Sequence, residues 1–109
     1  MQDEGRAVVT IDVHGETYRI MLTRADDILV ARDLLAGREG PGIPNGKIVA
    51  GGDGGVNTGY DWHIDPDDVE WASSTIELCD GLPSAVGTPD FTSDRFCPWA
   101  ARVIAVEPG

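Results

Sequence analysis

Residues 59–71, GYDWHIDPDDVEW, gather His63, the carboxylates Asp61, Asp65, Asp67 and Asp68, and two of the chain's three tryptophans. An imidazole among carboxylates is metal-ligating chemistry. His63 and Asp65 are two apart, so in a strand they point the same way. Asp53 and Asp61 complete a candidate metal set of Asp53, Asp61, His63 and Asp65. Calcium takes six to eight oxygens from a loop of fixed spacing. The segment 53–61, DGGVNTGYD, has Gly55 where the second ligand would stand. Zinc takes three or four N, S or O ligands, and this region holds one histidine. The stretch therefore reads better as structure, with Trp62 and Trp71 facing a core and His63 bonded to a neighbouring backbone or carboxylate group.

Catalytic patterns are weaker still. Ser73, Ser74, Ser84 and Ser93 sit in no G-x-S-x-G context, and Cys97 precedes Pro98. The many carboxylate pairs single out none of themselves. The glycine-rich segment 51–59, GGDGGVNTG, has no helical pattern after it, so it does not match a phosphate-binding loop. A non-enzyme without a cofactor is expected.

Composition narrows the partners. The chain has 109 residues, enough for one domain over 1–109. It carries 8 Lys+Arg against 19 Asp+Glu, a net charge of −11. Such a surface repels phosphate backbones and anionic bilayers, so neither nucleic acid nor membrane is an expected partner. It suits a basic protein surface. No apolar run approaches the roughly 18 residues of a membrane span. The start, MQDEGRAVV, is polar, and no leader is expected from it. Cys79 and Cys97 are the only cysteines. In a small, glycine-rich domain a structural disulfide is the first expectation, with free thiols or a metal pair as alternatives.

The elements that would position these residues follow from pattern. Residues 7–13 and 17–22 alternate as strands about a His14-Gly15 turn, a hairpin. Residues 23–37 form the one clear helix, with Thr23 as N-cap, Asp26 in an approximate capping box, and Gly37 as a left-handed cap. Ile28, Ala31, Leu34 and Leu35 form its apolar stripe. Residues 38–46 read as a stiff loop and 47–52 as a strand. Further strands are expected at 61–64, 69–73, 75–79 and 101–106, with a turn at 65–68 and a long loop at 80–96 holding one helical turn at 83–86. The expected fold is α+β: an antiparallel sheet with one helix packed across a face and one disulfide.

Asn57, Trp62-His63, Asp65-Pro66, IELCDG at 76–81, Pro83, RFCPW at 95–99 and Arg102-Val103 together resemble a family of small domains in secreted bacterial proteins, found also in a slime-mould protein. The resemblance covers most of the chain. It implies a Cys79–Cys97 pair, an extracellular setting, and structural roles for Asn57, Trp62, His63, Asp65 and Trp99 near that pair. It implies no settled activity.

The function expected is a secreted, monomeric, non-catalytic protein-binding domain. Its sharper form is an inhibitor of an extracellular protease. A preorganised loop loses little entropy on binding. The candidate loop is Gly40, Pro41, Gly42, Ile43, Pro44 and Asn45, with Ile43 its one large apolar side chain. The alternative is a calcium- or carbohydrate-binding module using Asp53, Asn57, Asp61, His63, Asp65 and exposed tryptophans.

Overall fold

In the computed structural model, which describes residues 5–109, six strands form two antiparallel three-stranded sheets. The expectation about the chain's start falls largely on residues 1–4 and so lies outside the described residues. The strands are β1 (Ala7–Val13), β2 (Glu16–Leu22), β3 (Ile43–Ala50), β4 (Trp62–Ala72), β5 (Arg95–Phe96) and β6 (Ala101–Pro108), with the helix α1 (Ala25–Leu35) between β2 and β3. One sheet has the order β2-β1-β6 and the other β4-β3-β5. The α+β class, the helix and the disulfide stand as expected. The strands divide between two sheets where one was expected.

The hairpin β1–β2 forms because its residues alternate. Val9, Ile11, Val13, Tyr18, Ile20 and Leu22 are buried. Its two-residue turn has φ +53° at His14 and +92° at Gly15. Both values lie in the left-handed region, as in the type I′ turn that matches strand twist. Helix α1 packs on β6 and touches β4, burying Ile28 and Ala31, with Leu34 half-buried. Leu35 is exposed, which corrects the four-residue stripe: the helix ends there and turns away. The N-cap is Arg24, in an extended conformation, and not Thr23. The Thr23 hydroxyl instead donates to Pro66 O at 3.3 Å. Gly37 closes the helix at φ +86°, with Arg38 N bonded to Asp33 O, the expected left-handed cap.

Three readings of the middle of the chain need correction. The turn-forming segment 65–68 does not end a strand. Gly46 pairs with Val69 and Ile48 with Ile64, so Asp65, Pro66, Asp67 and Asp68 bulge from β4 opposite Lys47 alone. The local turn chemistry is real, since Asp67 N donates to the Asp65 carboxylate at 2.9 Å, but pairing resumes on both sides of it. Gly46 permits this approach: a Cβ there would run into Ile64 Cγ2 and sit 3.2 Å from Val69. Second, β3 begins at Ile43, inside the expected loop. Ile48 N donates to Asp94 O on the β5 side. Period two puts Pro44 on that same side, beyond the end of two-residue β5, where a missing N–H costs nothing. Third, 75–79 is no strand: it holds a 3-10 turn at Glu77–Cys79. The helical turn expected at 83–86 appears at Pro83–Ala85. One cluster of buried side chains, drawn from both sheets and α1, runs through the interior.

Candidate functional site

The residues of 53–71 resolve into structure. Asn57 is fully buried. Its Oδ1 accepts from Arg19 N at 3.0 Å, and its Nδ2 donates to Trp62 O at 3.0 Å. One amide thereby joins β2 of the first sheet to β4 of the second. The partner is the Trp62 backbone. His63 Nδ1 lies 3.0 Å from Gly52 O. A carbonyl only accepts, so Nδ1 carries the proton. The Asp53 carboxylate accepts from Gly55 N at 2.8 Å, and Asp61 O accepts from Gly51 N and Gly52 N. Asp65 is engaged in the β4 bulge. Asp53, Asp61, His63 and Asp65 do not converge, and among the described residues no three His, Cys, Asp or Glu side chains form a metal-holding group.

Trp62 belongs to an aromatic cluster. Its ring lies 5.8 Å from Tyr18, 5.7 Å from Phe96 and 5.2 Å from Tyr60, in tilted or edge-on contact. These are the geometries the ring quadrupole favours. Burial pushes the Tyr18 phenol far above its ordinary pKa. Trp71 is half-buried, and its indole N–H donates to Asp27 O at 3.0 Å, tying β4 to the first turn of α1.

The expected loop at 40–45 is split. Gly40, Pro41 and Gly42 connect α1 to β3, whereas Ile43, Pro44 and Asn45 are strand residues. Pro44 is buried, and Ile43 pairs with Ala72. Ile43 is therefore no free loop tip. Asn45 is held by Arg95, whose Nε donates to Asn45 Oδ1 at 2.9 Å while Nη1 donates to Asp68 at 3.1 Å. That guanidinium hydrogen bond is the largest of the influences holding the Asp68 carboxyl below its usual range.

Three of the exposed large apolar side chains, Ile76, Leu78 and Trp99, lie close in sequence to the disulfide cysteines. Cys79 and Cys97 are bonded, with Cα atoms 5.1 Å apart, and Cys97 N donates to Cys79 O at 2.7 Å. Trp99 follows two residues later and is 44% exposed, so it is not a core residue. Yet both of its N–H groups are fixed. The backbone N donates to Asp80 Oδ1 at 2.8 Å, and the indole Nε1 donates to Thr75 Oγ1 at 2.6 Å. The ring lines two hollows. One, of about 240 Å³, is shared with Ile43, Ser73, Ser74 and Thr75. The other, of about 350 Å³, is shared with Val13, His14, Asp80, Gly81, Leu82 and Ala100. Ile76 and Leu78, on the same disulfide-linked turn, are 68% and 59% exposed. Sequence reading missed Ile76 and Leu78 because their alternation with Thr75 and Glu77 imitates a strand. The signal available was the cysteine beside them, which spares the turn any need for sheet pairing.

No curated protein and no solved structure matches this chain. The sequence profile of the BP-74 N-terminal domain matches residues 4–109, nearly the whole length. A match of that extent shows the family: the chain belongs to the BP-74 N-terminal domain family.

Proposed function

We infer that this chain is a non-catalytic, extracellular protein-binding domain whose contact face centres on Trp99, and that it acts as a protease inhibitor. One observation carries the reading: a large aromatic ring stands exposed while both its N–H groups and the adjacent disulfide hold it in place. An ordered ring loses little freedom on binding. Tryptophan is among the residues most enriched at binding hot spots. Ile43, Ile76 and Leu78 extend the apolar surface near it. The disulfide suits an oxidising compartment, and a monomer is sufficient for the task. Ile43 keeps a part as the wall of one hollow, whereas Gly40, Pro41 and Gly42 serve as the connection that leads into it.

A second reading keeps one observation in its favour. Ser73, Ser74 and Thr75 line the Trp99 hollow, and an indole face beside hydroxyls can take a sugar ring. Among the described residues, no group of three His, Cys, Asp or Glu side chains speaks for the calcium part of that alternative.

The test is an inhibition assay of the wild type and Trp99→Ala against secreted serine and metallo-proteases, with soluble oligosaccharides titrated in parallel. Inhibition of one protease, weakened at least tenfold in the variant, supports the reading. No inhibition at micromolar concentration removes it. Trp99-dependent binding of a sugar would put the second reading in its place.

A further inference from the structure

A third hollow, of about 230 Å³, lies between β2 and β4, away from Trp99, and its lining is unlike the rest of the molecule. The chain is strongly acidic, with eight basic residues. Two of them, Arg6 and Arg19, line this hollow together with His63, and among the described residues no acidic one does. Most of the other arginines are committed. Arg24, Arg38, Arg95 and Arg102 each pair with an aspartate. Among the described residues, Arg6 and Arg19 have no carboxylate partner. The positions are set by pairing: Val8 faces Met21 and Thr10 faces Arg19, so period two puts Arg6, Met21 and Arg19 on one face of the hairpin. The Arg19 backbone is anchored by the buried amide of Asn57, and the His63 ring by Gly52 O. The remaining walls include Met21 and Val56. Thr23 also lines the hollow, but its hydroxyl proton is spent on Pro66 O.

Unpaired guanidinium groups over apolar walls select an anion with an apolar body. A guanidinium presents a planar fork that matches a carboxylate in two parallel hydrogen bonds. The apolar walls disfavour a compact, multiply charged anion, because desolvating charge without a full set of donors is costly. The volume limits the body to a short one. We propose that this hollow binds a carboxylate carried on a short aliphatic body, with Arg19 and Arg6 as its anion contacts. The same chemistry is offered by a free short-chain organic acid and by the C-terminal carboxylate of a polypeptide ending in an aliphatic residue. The site is independent of the Trp99 face, so neither stands or falls with the other.

The experiment is a titration of the intact chain followed by amide and arginine side-chain chemical shifts. The probes are 4-methylpentanoate, an acetylated tripeptide ending in leucine, its C-terminal amide, and inorganic phosphate. The wild type should show saturable shifts at Arg19, His63 and Val56 with at least one free carboxylate. The amide should bind at least tenfold more weakly. Binding of the organic acid alone identifies a small-molecule site, and preference for the tripeptide identifies a C-terminus site; either supports the proposal. Arg19→Gln and Arg6→Gln, checked for an unchanged melting temperature, should each weaken binding at least fivefold. If one of them is destabilised, the other variant carries the test. The proposal is overturned if neither carboxylate saturates, if the amide binds as well as the acid, if phosphate binds tighter than both, or if the folded variants bind like the wild type.

Discussion

Asn57 holds together two sheets that share no strand. Replacing it by alanine leaves the Arg19 N–H and the Trp62 C=O without partners in a buried place. Each such orphan costs about 1–3 kcal/mol, so Asn57→Ala should lower stability by roughly 2–6 kcal/mol in denaturant unfolding. A loss below about 0.5 kcal/mol would mean that water replaces the amide at no cost. Asp68 makes a separate prediction about protons. Its carboxyl is held low chiefly by the hydrogen bond from Arg95. A carboxyl depressed in the folded state adds stability above the ordinary carboxylate range, and that contribution is lost as pH falls through the folded-state value. Arg95→Gln should move the Asp68 pKa up toward its ordinary value in a carboxyl NMR titration. An unmoved pKa would show that the ion pair seen at 3.1 Å does not persist in solution.

The elements differ in how far the sequence announces them, and the reason is where their partners lie. β1, β2 and α1 carry their own signals, an alternating pattern or a 3.6-residue stripe, and each forms near its expected bounds. β4 announces only its two ends, at 61–64 and 69–73, and β5 not at all, because pairing with β3 is what joins the one and makes the other. The four-residue bulge at 65–68 looks locally like any proline-containing turn. Only the resumption of pairing at Val69 reveals a single strand. Ile76 and Leu78 show the converse: a strand-like pattern with no strand beside it. The candidate surface was hidden for this reason, whereas the cysteine pair was legible from residue type and motif. The helix offers an inexpensive check. Ile28 is buried and Leu35 exposed. Ile28→Ala should therefore cost about 2–5 kcal/mol, whereas Leu35→Ala should stay within about 0.5 kcal/mol. Equal losses would contradict the way α1 is seated.

Across the whole molecule, charge and the disulfide set the remaining expectations. A net charge of −11 speeds encounter with a basic partner and slows encounter with an acidic one. Association should accordingly slow as salt rises through about 0.1–0.5 M, where the screening length falls below roughly 10 Å. The Cys79–Cys97 bond closes a segment whose ends are 18 residues apart. On the chain-entropy view such a closure is worth about 3 kcal/mol, so its reduction should loosen the turn that carries Ile76 and Leu78. Whether the pinned indole of Trp99 or the 40–42 connection anchors the proposed contact is decided by calorimetric titration of a protease that the wild type inhibits. Wild type, Trp99→Ala and Pro41→Ala would be compared, each with its melting temperature. Expected are at least a tenfold loss of affinity for Trp99→Ala, little change for Pro41→Ala, and melting temperatures within about 4 °C of the wild type, the shift that about 1 kcal/mol produces in a domain of this size. Unchanged affinity for Trp99→Ala with a clear loss for Pro41→Ala would contradict the Trp99 anchor.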